Sequence, residues 1–261
     1  MKTRVLTAAA GIPLVLAAVF FAGPPLFGAL VLALALAALH EYLGICAVER
    51  TIAFGVLACA FPALAAVPAG LAPEAAAAAL LALSLLSLWR VEDPARRFQG
   101  LAEGVLGLAY IGYALGCLWL LRSLPAHGAA WVFLVLVVTW SGDSAAYFIG
   151  SRFGRRRLAP TLSPNKTCAG AVGGLGGSLA GALIAFPVFR GDVALPFVGA
   201  TALAIGVAGQ LGDLFESLWK RAKGVKDSGH LIPGHGGILD RIDSLLLGIP
   251  VGYHIVKTWG P

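Results

Sequence analysis

Charge is scarce in this chain. Its 261 residues include 13 Asp and Glu and 19 Lys and Arg, so 12% of positions are charged, where a soluble domain carries about 25%. No stretch is polar enough to form a separate soluble domain, although the length alone would allow one or two. Cysteine is sparse as well. Cys46, Cys59, Cys117 and Cys168 form no CxxC pair, which excludes a zinc site and a disulfide framework. They read as small buried hydrophobes. A Gly-Lys-Ser/Thr ending is missing from the glycine-rich run 170–181, so that run is not a Walker loop.

What fills the chain is apolar surface, at 59% of residues. A water-soluble core of this size could not bury it, so lipid must be the solvent for much of the chain. The expected fold is all-α, a polytopic helical membrane protein. A span needs about 20 largely apolar residues, and about nine runs qualify: 5–22, 25–47, 52–70, 74–89, 101–121, 129–149, 169–189, 193–214 and 238–257. Pro and Gly mark the breaks between them. The first run is long for a signal-peptide core and reads as a retained helix. An N-terminus in the cytoplasm leaves only Arg122, Arg190 and Lys257 of the 19 Lys and Arg on the opposite side, as the positive-inside rule requires. The net charge of +6 is then mostly topology, and no nucleic-acid partner is expected. Residues 1–125 read as supporting transmembrane helices and 126–261 as a catalytic transmembrane region facing the cytoplasm. Gly170, Gly173, Gly174, Gly177 and Gly181 repeat at four-residue spacing, the small-xxx-small pattern of close helix contacts. His40 and Glu41, at the end of the second run, read as interface anchors.

The chemistry-bearing residues crowd into two places. One is Ser141-Gly142-Asp143-Ser144-Ala145-Ala146-Tyr147 with the basic loop that follows to Lys166. The other runs from Gln210 to Ser244. Asp213, then Glu216 or Ser217, then Lys220 share one helix face by their spacing, and Asp240 and Asp243 share another. Asp213, Asp240 and Asp243 brought together would repel one another unless a cation neutralised them. Oxygen ligands suit Mg²⁺ or Mn²⁺. Flanking Lys and Arg point to a phosphate-bearing ligand as well. Between the two helices, Pro233-Gly234-His235-Gly236-Gly237 lets backbone N–H groups approach a ligand, and His235 could donate to phosphate or shuttle a proton. Read singly, the basic loop could be topogenic, the aspartates a helix-dipole cap and His235 a loop histidine. Together they exceed those readings, because ionisable groups at a membrane helix end are functional by default.

The run Ser217-x-x-Lys220-Arg221-x4-Lys226-Asp227-x-Gly229-x2-Ile232-Pro233-Gly234-His235-Gly236-Gly237-x-x-Asp240-Arg241-x-Asp243 resembles the signature of phosphatidate cytidylyltransferases, or CDP-diacylglycerol synthases. So do Asp143-x-x-Ala146-Tyr147-x-x-Gly150, Leu158-Ala159-Pro160 and Ser163-Pro164-Asn165-Lys166-Thr167 upstream. The first half matches only in hydrophobic layout. In one place the chain departs from the family pattern: where an aromatic residue, Glu and Gly usually follow Lys-Thr, it has Cys168-Ala169-Gly170.

The resemblance implies transfer of a cytidylyl group from CTP to phosphatidic acid, giving CDP-diacylglycerol and pyrophosphate. It implies a paired metal site containing Mg²⁺ on Asp213 and Asp240, with Asp243 beside them. Lys220 and Lys226 would join these aspartates in catalysis. Ser217, Arg221, His235, Gly236, Arg241 and Asp143 would contact substrate. Ser163, Asn165, Lys166 and Thr167 would form the opposite wall of the cleft. The enzyme would be a homodimer in the cell's inner (plasma) membrane, meeting CTP from the cytosol and its lipid from within the bilayer. A related transferase acting on another lipid phosphate, and a cation transporter, are the competing readings. A transporter would hold its acids near the midplane rather than at helix ends.

Overall fold

A computed structural model describes residues 2–66, 70, 72–89, 92–229 and 236–260. Each of the nine apolar runs carries a helix among the described residues. Helices α1 (Lys2–Phe21), α2 (Pro24–Ile45), α3 (Arg50–Ala66) and α4 (Ala72–Ser87) come first. A continuous rod, Pro94–Arg122, follows. It consists of α5 (Pro94–Gly107), a π-helical turn at Leu108–Gly112 and α6 (Tyr113–Arg122). Then come α7 (Gly128–Phe153), α8 (Cys168–Ala185), α9 (Leu195–Ala222) and α10 (Leu239–Trp259). Five of these segments are long and apolar enough to cross a membrane: Pro24–Ile45, Pro94–Arg122, Gly128–Phe153, Cys168–Phe189 and Leu195–Ala222. The protein is therefore a multi-pass helical membrane protein.

One feature was not expected from the hydrophobic pattern. Part of the basic loop after α7 forms an antiparallel ribbon of β1 (Arg157–Ala159) and β2 (Ser163–Thr167), with Arg157 opposite Thr167 and Ala159 opposite Ser163. Two such strands are too short to leave a readable alternation.

The chain divides into two compact units. The first holds Met1–Ile12, Ala22–Leu120 and Asp227–Arg241; the second holds Pro13–Phe21, Leu121–Lys226 and Ile242–Pro261. Asp227–Arg241, which the sequence groups with the C-terminal half, thus packs with the first unit.

In the first unit, α5 starts on a firm cap. The Asp93 carboxylate accepts the N–H groups of Ala95 (3.0 Å) and Arg96 (3.1 Å), with Pro94 at the first helical position. These are the donors that a helix start leaves orphaned. Arg97 is buried and spans to Glu49 at 3.1 Å and to the Trp89 carbonyl at 3.1 Å. A buried arginine needs such partners.

In the second unit, α7 and α8 pack along their small residues. A side chain at Gly177 would strike the Ser141 carbonyl and Ala145, and one at Gly181 would strike Ser141 and the Val137 carbonyl. The Ser141 hydroxyl donates to the Gly177 carbonyl at 2.8 Å. The glycine run is thus a packing seam, as its spacing implied. Helices α9 and α10 also touch at small residues. Gly209 lies against Ser244, and Gly212 lies against the Asp243 carbonyl.

Candidate active site

The close approach at Gly212 is what brings two acids together. Asp213 follows Gly212 on α9, and Asp243 lies where α10 touches it. Asp143 of α7 completes the group. Asp143 and Asp213 repel each other, Asp243 feels both as well as Glu216, and Lys166 attracts Asp143. The Ser244 backbone N–H donates to Asp243 Oδ1 at 2.6 Å, and its side chain hydrogen-bonds Asp143. Lys166 Nζ forms an ion pair with Asp213 Oδ2 at 2.6 Å, with both side chains partly accessible at 24% and 31%.

A cavity of ≈ 610 Å³ opens on this pair. Its walls include Asp143, Tyr147, Asn165, Lys166, Gln210 and Asp213. The size lies within the range of about 300–1,000 Å³ typical of small-ligand pockets. The β-ribbon supplies Arg157, Asn165, Lys166 and Thr167 to the lining. Thr167 is 5% exposed, and its side chain accepts the Gly170 N–H at 3.1 Å, which caps α8. Gly150 and Gly154 leave room for it, since a Cβ at either would meet the Thr167 side chain. Gln210 Nε2 donates to the Ala171 carbonyl at 3.0 Å and fixes α9 against the first turn of α8.

The sequence candidates fall into separate groups. Asp143, Asn165, Lys166, Thr167 and Asp213 line the cavity, and Ser163 begins β2, the strand that carries three of them. Asp243 interacts with the acids of this group. Lys220 is paired with Glu216 at 3.0 Å in the interior of the same unit, where Glu216 is 0% exposed. Ser217 is buried beside them. Arg221 is exposed and donates to the Val225 carbonyl at 2.8 Å, closing the turn after α9. Lys226 and Arg241 are exposed. His235, with Ile232, Pro233 and Gly234, lies outside the described residues. Ala169 sits in the first turn of α8, between Thr167 and Gly170 of the cavity wall.

Asp240 belongs to the first unit, in a tight turn. Its Oδ2 accepts the Ser228 N–H (2.8 Å), the Ser228 hydroxyl (2.9 Å) and the Gly237 N–H (3.0 Å). Gly236 has φ +80° and sits against the same carboxylate, a backbone conformation that favours glycine. Glu41 of α2 joins the turn. It is only 7% exposed and accepts the N–H groups of Ile238 and Leu239, each at 3.0 Å. Glu41 is therefore no interface anchor, whereas His40 beside it is exposed. Gln210 received no role from the sequence, and Glu41 only that of an interface anchor. The available signal for Glu41 was its being an acid at the end of an otherwise apolar helix.

The donor set can be tested against a divalent cation. Among the described residues no three acidic, His or Cys side chains close into a metal cage by themselves. Mg²⁺ seldom uses such cages; it keeps waters and takes one or two carboxylates together with substrate phosphates. Three mutually repelling carboxylates, with one lysine among them, have the chemistry to accept such a cation.

A model of the cytidylyltransferase family matches residues 2–259. The chain is 42% identical over 158 residues to the phosphatidate cytidylyltransferase of Bacillus subtilis, covering 59% of this chain and 57% of that protein. It is 39% identical over 182 residues to that of Thermotoga maritima, covering 66% and 65%. With that of Haemophilus influenzae it shares 46% over 134 residues, covering 48% and 45%. The matched stretch thus spans roughly half to two thirds of the length of these curated relatives. With the family pattern running almost from end to end, this chain belongs to the cytidylyltransferase family.

Proposed function

We propose that the protein transfers a cytidylyl group from CTP to phosphatidic acid, giving CDP-diacylglycerol and pyrophosphate. The observation that carries the reading is the cavity walled by the Lys166–Asp213 pair and Asp143. Acids for a cation and a lysine for phosphate converge there, in a chain whose curated relatives are named phosphatidate cytidylyltransferases.

A phosphate oxygen of the lipid attacks the α-phosphorus of CTP, the bond to the bridging oxygen breaks, and pyrophosphate leaves. The attacking phosphate is already ionised near neutral pH, so no general base is needed. Catalysis then rests on positioning and on neutralising charge. Lys166 pairs with phosphate oxygens, and Asn165 with the capped start of α8 shapes the wall beside it. Arg157, at the ribbon edge of the cavity, faces the anionic substrates as they enter. Lys226, Arg221 and Arg241 supply further positive charge.

By family resemblance Asp213 and Asp240 would serve as Mg²⁺ ligands, with Asp243 as a further acid. When bound, the ion supplies electrostatic stabilisation to the phosphate oxygens. The nine apolar runs, each carrying helix among the described residues, are taken as nine spans with the N-terminus in the cytoplasm of a bacterial inner membrane, on the partition of Lys and Arg. Single cysteines at Arg190 and Lys223 should then react with impermeant reagents from opposite faces. By family resemblance the chain acts as a homodimer, which mass measurement in detergent would test.

The deciding experiment is pyrophosphate release by purified protein with CTP, phosphatidic acid and Mg²⁺, omitting each in turn and analysing the lipid product. Release that needs all three, with CDP-lipid formed, supports the reading. Release with a different lipid phosphate in place of phosphatidic acid would transfer the chemistry to another lipid. No release with any of them would overturn it.

A further inference from the structure

Glu41 lies 197 residues from Ile238 in sequence, yet its carboxylate closes the start of α10. The first N–H groups of a helix have no partner within it. Here Ile238 and Leu239 donate theirs to Oε1 and Oε2 of Glu41. A negative charge at this helix end also complements the helix dipole. The fit is close: a side chain added at Gly229 or Gly237 would meet the Glu41 carboxylate.

The same carboxylate reaches Asp240 through one hydroxyl. Ser228 Oγ lies 3.3 Å from Glu41 Oε2 and 2.9 Å from Asp240 Oδ2. It also accepts the Asp240 N–H at 3.3 Å. A serine hydroxyl has one proton and can donate to only one carboxylate at a time. The shorter distance assigns it to Asp240. With the N–H groups of Ser228 and Gly237 it fixes how the Asp240 carboxylate is turned. Glu41 grips the far side of the same turn. A buried acid with two backbone donors trained on it is costly to alter, because each donor would lose its partner.

We infer that Glu41 is a positioning residue for the cytidylyl transfer, bracing the Ser228–Asp240 turn from α2 so that the Asp240 carboxylate keeps its orientation. The inference rests on the function proposed above. Glu41→Gln keeps the side-chain shape but turns an NH₂ group toward one of the helix N–H donors.

Two readouts test this on the full-length protein in detergent or vesicles. The first is hydrogen exchange without substrate. Glu41→Gln should speed exchange at Ser228, Gly237, Ile238 and Leu239 about tenfold or more, while α7 and α8 keep wild-type protection. The second is kinetic. Glu41→Gln should lower kcat about tenfold with little change in KM for CTP, and should raise the Mg²⁺ concentration needed for half-maximal activity. Ser228→Ala should act in the same direction, and the double variant should lose less than the product of the two single losses. Wild-type exchange in Glu41→Gln would overturn the brace. Faster exchange with wild-type kcat and Mg²⁺ dependence would overturn its role in the reaction. The exchange arm needs no turnover, so it still decides the brace if the wild type makes no CDP-lipid and the proposed function falls.

Discussion

Lys166 Nζ stands 2.6 Å from Asp213 Oδ2, joining the β-ribbon to α9 beside the cavity that both residues line. The pair balances one of three acids that otherwise face one another, Asp143, Asp213 and Asp243. Losing the lysine removes both that balance and a phosphate partner. Lys166→Met is expected to raise KM for CTP about tenfold or more, a loss of ~1.4 kcal/mol in binding. Lys166→Arg should retain part of the affinity. Steady-state kinetics against CTP checks this, and an unchanged KM would move the nucleotide elsewhere.

Replacing the acids separates their roles. Asp213→Asn and Asp243→Asn should each lower kcat about 100-fold or more, corresponding to ~2.7 kcal/mol of transition-state stabilisation. Asp240→Asn should also abolish turnover while leaving the helical fold intact. Circular dichroism and melting temperature establish folding for each variant. A folded Asp213→Asn enzyme with full activity would remove the metal assignment.

Chelation addresses the same assignment without mutation. Treatment with EDTA should stop CDP-lipid formation, and added Mg²⁺ or Mn²⁺ should restore it. Turnover that persists in metal-free buffer would show that Lys166 and the other cations suffice.

The seam between α7 and α8 gives a stability test. Gly177→Leu forces a side chain against the Ser141 carbonyl and Ala145 and should cost about 1–3 kcal/mol. Gly176→Ala, one residue away, meets nothing within 4 Å and should be close to neutral. Thermal unfolding in one detergent compares them, and equal melting temperatures would refute the seam.

Thr167 couples the ribbon to α8 through its hydrogen bond from the Gly170 N–H. Thr167→Val keeps the shape but removes the acceptor and should destabilise by about 1 kcal/mol. Thr167→Ser should restore most of it. Melting temperatures of the two variants provide the check.

The helices were legible because lipid imposes a long, unbroken apolar run on each one, and backbone hydrogen bonds must close within it. The 170–181 glycine spacing likewise foretold a packing seam, since small residues are what close helix contact requires. Asp143, Asn165, Lys166, Thr167 and Asp213 were named from the sequence and line one cavity. The ribbon was not legible, being too short for periodicity. Lys220 was read as joining the aspartates in catalysis; its ion pair with buried Glu216 depends on which way a helix face turns in the packed bundle.

By itself, then, the sequence determined the helical membrane class, the glycine seam and the chemical types of the site, because these follow from composition and local spacing. Only the tertiary structure decided which acids share a neighbourhood. Asp213 and Asp243 come together because Gly209 and Gly212 let α9 and α10 close, and Asp143 acts on both. Glu41 meets Ile238, Leu239 and Ser228 across 187 or more residues of chain. Contacts at that separation are set by packing, and no local pattern in the chain records them.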